Sequence, residues 1–219
     1  MAGTLTELPP VDIAGHKASG LGNEDHPMRV MTRRAAGLQT PGWDAEARAE
    51  VAGLFDSLAP EWHTRTSPER AAVVADALER GLAGRTAGEV CVELGAGIGA
   101  YTPVLGERWP TVIATDIAIE MLHRGPSSAG HQVLADSARL PLRDGAADAF
   151  VLVNTFLFPT EVDRVLGPDG VLIWVNSSGV QTPIYLPAAD VVAALPGRWE
   201  GVSSGAGEGT WCVMSRARR

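Results

Sequence analysis

The spacing of apolar residues changes at Gly88. Before it, Val51, Leu54, Phe55 and Leu58 recur at helical intervals and predict a helix over Ala45–Leu58, capped by Asp44 and stopped by Pro60. Ser67-Pro68-Glu69 then supplies an N-cap and a first-turn proline for a second helix, Glu69–Gly81, whose apolar face is Ala72, Val73, Ala77 and Leu78. After Gly88 the apolar residues gather into short runs at Glu89–Leu94, Thr111–Thr115, Gln132–Ala135, Ala149–Asn154 and Val171–Asn176. Such near-continuous runs suit parallel strands covered by helices on both faces. Short helices are predicted between them at Tyr101–Arg108, Glu120–His123 and Thr160–Leu166. The tail differs, because Arg198–Ser204 and Gly209–Ser215 flank Gly-Ala-Gly-Glu and suit an antiparallel hairpin at one edge. The expected fold is therefore α/β: a doubly wound, Rossmann-like sheet of seven strands, mostly parallel, with an antiparallel C-terminal edge hairpin.

Residues 1–42 are rich in Gly, Pro and polar groups and show little periodicity before Met28, so they are expected to form a flexible arm that folds over the site. Residues 43–87 are expected to form a helical cap and 88–219 the main domain. The 219 residues suffice for one well-packed unit. A formal charge of −8 argues against a surface built for nucleic acid, which needs clustered Lys and Arg to neutralise phosphates. Cys91 and Cys212 both lie in apolar runs, so buried thiols are expected rather than a disulfide. No His or Cys spacing suggests a metal. The pattern holds neither a secretory leader nor a membrane-length apolar run, and the expected compartment is the cytoplasm.

Candidate chemistry begins at Glu93-Leu-Gly95-Ala-Gly97-Ile-Gly99, between a strand and a helix. Glycines there permit a tight turn and a close backbone approach to a ligand, and the helix start offers free N–H groups to a negative group. Asp116 ends the next strand, where a carboxylate can accept the hydroxyls of a ribose. A glycine-rich turn alone also suits nicotinamide and flavin enzymes. Here, however, the spacing is G-x-G-x-G rather than G-x-G-x-x-G, and Asp136-Ser137 adds a third polar site after the third strand. No Tyr-Lys pair of the kind a dehydrogenase uses accompanies it.

These features resemble the class I S-adenosylmethionine-dependent methyltransferases, and within them the branch that includes the ubiquinone and menaquinone methyltransferases. The segments that carry the resemblance are VCVELGAGIGAYTPVL, ATDIAIEML, ADSARLPLRDGAADAFVLVN and RVLGPDGVLIWV, with LFDSLAPEWHTRT upstream. The resemblance implies S-adenosyl-L-methionine as cofactor. Glu93, Gly95, Ala96, Gly97 and Gly99 would form its methionine cradle, with Asp116 on the ribose and Ile117 packing on the adenine. Asp136 and Ser137 would fix the adenine edge, Asn154 would sit beside the methionine moiety, and Trp62 and Arg65 would close over the pocket. His63, in the same upstream segment, is a candidate base. Trp62, Trp174 and Tyr185 are candidates for an aromatic acceptor pocket, and the Ser177–Pro187 stretch reads as a loop acting as a lid.

The expected reaction is methyl transfer by in-line displacement to oxygen, nitrogen or carbon of a small organic acceptor, expected to be neutral or cationic, with no nucleic-acid or membrane partner. Two other readings stand beside it: a methyltransferase acting on protein or RNA, and a non-catalytic module that binds S-adenosylmethionine. Neither the acceptor atom nor the oligomeric state follows from the sequence.

Overall fold

The computed structural model describes residues 3–17, 20–40, 42–85, 88–126 and 130–218. Its strands are β1 (Thr4–Glu7), β2 (Val90–Leu94), β3 (Thr111–Asp116), β4 (His131–Leu134), β5 (Ala147–Val153), β6 (Leu166–Asn176), β7 (Trp199–Ala206) and β8 (Gly209–Arg216). They form one sheet in the order β1-β7-β8-β6-β5-β2-β3-β4. Strands β6, β5, β2, β3 and β4 run parallel to one another, β8 runs antiparallel to both β6 and β7, and β1 pairs parallel with β7.

The sheet thus has eight strands rather than seven. The extra one is β1, whose Thr-Leu-Thr-Glu carries a single apolar side chain. It is held mainly by backbone pairing, from Thr4 opposite Glu200 to Glu7 opposite Ser203, and Leu8 N–H continues the ladder to the Ser203 carbonyl at 2.8 Å. An edge strand that packs one side chain leaves almost no hydrophobic pattern to read.

The continuous apolar runs are explained by burial on two faces. In β5, Phe150 and Leu152 enter one core layer with Val92, Leu94, Leu172 and Trp174, while Val151 and Val153 enter the opposite layer with Cys91, Ile173, Val175 and Val213. Successive side chains point to opposite faces, so a strand covered twice must be apolar at every position. Helix α3 (Pro68–Gly81) covers the second face through Val73, Val74, Ala77 and Leu78. Its Asp76 accepts a 2.7 Å bond from the Trp211 indole. The first face is covered by α6 (Pro159–Val165) and α7 (Ala188–Ala194). Both cysteines are free and buried. Among the described residues, no helix is long and apolar enough to cross a membrane.

Two helices lie over the carboxyl ends of the strands. Helix α1 (Pro27–Ala35) buries Met28, Met31, Thr32 and Ala35. It is tied down by Arg29, which donates to the Val180 carbonyl and lies over the Tyr185 ring, and by an Arg33–Asp190 ion pair of 2.7 Å. Helix α2 (Ala45–Leu58) matches the predicted span, with the Asp44 carboxylate accepting from Ala47 N–H at 2.9 Å. A 3-10 segment, Ala59–Arg65, follows at Pro60 and leads into α3. Instead of a featureless lid, residues 177–187 contain a 3-10 turn, Gly179–Gln181, and bury Ser177, Ser178, Thr182, Ile184 and Leu186.

Candidate functional site

The chain reverses direction after β2 on three glycines in the left-handed region: Gly95 at φ 62°, Gly97 at 57° and Gly99 at 71°. L-residues with a Cβ are strained there. At Gly95 space is also lacking, since a Cβ would stand 2.2 Å from Thr155 Oγ1. The turn is stitched to the next strand, with Ala96 N–H donating to the Thr115 carbonyl at 2.9 Å and Gly97 N–H to Asp116 Oδ2 at 2.7 Å. Asp116 also accepts from Ala118 N–H at 2.9 Å. It is therefore both the cap of the following turn and a buried carboxylate facing the glycine loop. A carboxylate offers about four acceptor sites, so capacity remains for a hydroxyl donor. Burial raises its pKa above the ordinary carboxylate value, against the backbone N–H groups that lower it.

Glu93 lies beneath this turn and is 2% exposed. The Thr102 hydroxyl, at the start of α4 (Thr102–Gly106), donates to its Oε2 at 2.5 Å. Burial pushes its pKa up to about 7; the Thr102 bond opposes the rise and the nearby Asp116 charge adds to it. A carboxyl that titrates near neutrality gains a strong reason to ionise when a cation arrives beside it.

Asp136, after β4, accepts from Ala138 N–H at 2.8 Å and from the Trp43 indole, whose Nε1 is 3.2 Å from both carboxylate oxygens. Trp43 packs edge-on against Phe158 at 5.1 Å and tilted against Phe156 at 5.7 Å. Asn154 takes φ 51°, the only non-glycine with positive φ among the described residues. Its amide is engaged at both ends, donating to Ser177 Oγ and accepting from Ser177 N–H, each at 2.8 Å. An amide so clamped holds the ends of β5 and β6 together. Tyr101 stands next to Ser177, its phenol raised by burial and influenced by the neighbouring Arg70 and Glu93 charges.

These groups line one cavity of about 690 Å³ at the strand ends, where open α/β sheets place their ligands. Its floor is Glu93, Gly95, Ala96, Gly97, Asp116 and Ile117. Asp136, Ser137 and Asn154 form one wall, and Trp62 with Arg65 lies above the glycine turn. A Cβ on Gly97 would come within 3.2 Å of Trp62 Nε1. The Trp62 ring packs on Phe55 and is covered by the Arg65 guanidinium at 5.3 Å.

Two predicted residues fall elsewhere. Gly99 closes the turn by donating to the Ala96 carbonyl at 2.9 Å and does not line the cavity. His63 is exposed and also outside the lining, because the 3-10 segment turns it away while presenting Trp62 and Arg65. The cavity histidine is His26, whose Nδ1 accepts Met28 N–H at 3.1 Å to cap α1. That bond assigns the ring proton to Nε2, making His26 a donor rather than a base. Of the three aromatic residues proposed for an acceptor pocket, only Trp62 is there. Trp174 is core, donating to the Leu186 carbonyl at 3.1 Å, and Tyr185 lies outside under Arg29. Sequence reasoning missed Trp43, Tyr101, Arg70 and His26. A tryptophan in a Gly- and Pro-rich stretch was the one available signal, since burying it needs a partner that such a stretch does not itself provide.

The segment that builds the floor is also the one that matches a known family. Residues 92–174 match the family model described as a methyltransferase domain. Over that stretch the chain is similar to methyltransferase domains. Within the chain, 93 aligned residues are 34% identical to the malonyl-[acyl-carrier protein] O-methyltransferase of Geobacter sulfurreducens, covering 36% of this chain and 35% of that one. The chain thus spans about a third of the length of the curated relative it matches. Among solved structures, a SAM-dependent methyltransferase from Aquifex aeolicus aligns with a TM-score of 0.57 at 17% identity, covering 71% of this chain and 96% of that one. The Haemonchus contortus phosphoethanolamine N-methyltransferase 1, in complex with phosphoethanolamine and S-adenosylhomocysteine, aligns with a TM-score of 0.52 at 18% identity, over 64% and 34%. At such identities the likeness is one of fold. The matched stretch ends inside β6, so α1, α2, the 3-10 segment and the closing hairpin lie outside it.

Proposed function

We propose that the chain binds S-adenosylmethionine across its strand ends and transfers the methyl group to a small organic acceptor. The observation that carries this reading is the trio of strand-end carboxylates, Glu93, Asp116 and Asp136, all opening on one cavity with the glycine turn between the first two. The residues fit such a cofactor. A volume of about 690 Å³ lies within the range of roughly 300–1,000 Å³ usual for small-molecule sites, and the bare Gly97 keeps open the space that a side chain would take from Trp62.

When bound, the cofactor supplies a methyl group already activated on a positively charged sulfur. What remains for the protein is to bind, dehydrate and align, and such positioning can supply about 7–11 kcal/mol of a barrier. Asp116 would accept from the ribose hydroxyls and Asp136 from the adenine amino group. Glu93, ionised by the approach of the cofactor's ammonium, would hold the methionine end. Trp62 and Arg65 would cover it and exclude water. With His63 outside and His26 a donor, no histidine among the described residues is placed in the cavity as a base. An acceptor that reacts without losing a proton first, such as a carboxylate, is therefore favoured. The roof of α1, Trp43 and the 3-10 segment over the strand ends favours a small acceptor over a folded macromolecule.

Calorimetric titration tests this. Micromolar binding of S-adenosylmethionine and S-adenosylhomocysteine, without binding of NAD, is expected. Binding of NAD alone would overturn it.

A further inference from the structure

Five of the chain's arginines are held in close ion pairs. Arg33, Arg80, Arg124, Arg164 and Arg216 each meet a carboxylate within 3.1 Å. Arg65 and Arg70 do not: among the described residues neither has an acidic partner in an ion pair, although both line the main cavity. Arg70 donates one N–H to the Arg65 carbonyl, which leaves most of its guanidinium donors uncommitted.

Beyond these arginines lies a second hollow of about 200 Å³. It shares Thr64, Arg65, Thr66 and Arg70 with the main cavity and adds His16, Lys17, Ser67 and Glu69. His16 Nδ1 accepts the Glu208 N–H at 3.2 Å, so its Nε2 carries the proton, and that buried nitrogen has no protein partner. Glu69 is the one carboxylate there. It is turned to its own helix start, held below its usual pKa by its backbone N–H and the Ser67 hydroxyl. Three cations and an unused N–H therefore face one carboxylate that is already satisfied.

The cofactor proposed above brings a single carboxylate, and one guanidinium, Arg65 over Trp62, suffices for it. Arg70, Lys17 and His16 are in surplus. We propose that the hollow receives an acidic group of the methyl acceptor, a carboxylate or a phosphate, while the reacting end of the same molecule enters the main cavity. This rests on the methyltransferase reading and deepens it: the acceptor is a small anion. The guanidinium fork of Arg70 matches the oxygens of either group, Lys17 adds a point charge at the rim, and His16 Nε2 supplies a neutral donor.

The test is titration of the full chain, saturated with S-adenosylhomocysteine, with inorganic phosphate and separately with succinate. Ionic strength is held constant with chloride, and intrinsic tryptophan fluorescence and calorimetry are the readouts. Saturable binding beside S-adenosylhomocysteine is expected, weakened at least fivefold by Arg70→Gln and by Lys17→Gln and unchanged in His63→Ala; the tighter anion names the class. Absence of saturable binding above chloride overturns the proposal, as does binding that neither Arg70→Gln nor Lys17→Gln weakens. An anion that displaces S-adenosylhomocysteine also overturns it, because the cations would then serve the cofactor's own carboxylate. Failure of S-adenosylhomocysteine to bind at all counts against the methyltransferase reading instead, and anion titration of the free chain then decides the hollow by the same two variants.

Discussion

The floor of the cavity and the wall beside it are carried by strand ends, where Glu93 and Asp116 lie in hydrogen-bonded ladders, Asp136 follows one, and all three take their positions from backbone geometry. Its roof is carried by side chains: Trp43 wedged against Phe156 and Phe158, Trp62 against Phe55, and Arg29 and Arg33 fastening α1. The floor is local and rigid, and it coincides with the stretch that matches a family. The roof lies outside that stretch and depends on contacts between residues far apart in sequence. On the proposed reading, the cofactor is the business of the floor and the choice of acceptor belongs to the roof.

The largest effect should come from breaking the floor. Gly97→Val places a branched side chain at φ 57° against Trp62, and we expect at least a hundredfold loss of S-adenosylhomocysteine affinity by calorimetry. Retained affinity would mean that the ligand does not approach the turn. Asp116→Ala should weaken the same binding about tenfold or more. It should also lower stability by about 1–3 kcal/mol, because the Gly97 and Ala118 N–H groups lose their acceptor; chemical denaturation reads this second effect.

Glu93 sharpens the comparison through pH. Its folded pKa of about 7 exceeds the ordinary glutamate value of 4.5, so the folded chain holds more protons between these limits. Stability of the free chain should therefore fall as pH rises from about 4.5 to about 7, by about 3 kcal/mol, and then level off. Asp116, raised by burial as well, acts in the same sense. Glu93→Gln should remove most of this slope in urea titrations while weakening S-adenosylmethionine binding at pH 8; an unchanged slope would show that Glu93 is not the titrating group.

The smallest effects belong to the roof. Trp43→Phe keeps the packing on Phe156 and Phe158 but removes the N–H that now occupies Asp136, and cofactor affinity should rise two- to fivefold if adenine uses the same carboxylate. His63→Ala should leave cofactor binding and turnover within twofold of the parent.

The same division explains what could be read from the chain. The strand runs, the helix spans Ala45–Leu58 and Pro68–Gly81 and the glycine turn are written locally, in burial periodicity, caps and positive φ. The three carboxylates are legible because each follows an apolar run. Strand β1 is not, because Thr4 and Thr6 answer to backbone partners near residue 200. Nor is α7, whose seven residues bury only Val191 and Val192. Trp43, Arg70 and His26 become site residues only once α1 and the 3-10 segment dock, and His63 was misplaced because a seven-residue 3-10 stretch faces the cavity at some positions and turns away at others.

The pairing of β1 with β7 has a consequence in time. During synthesis, the strands of the floor emerge and can find one another long before Trp199–Ala206 exists, so β1 waits for a partner through nearly the whole of elongation. Contacts of such sequence separation form slowly. The outer edge of the sheet should therefore be the last part to set, and a nascent chain halted before β7 would hold a nearly finished nucleotide floor beside an unanchored first segment.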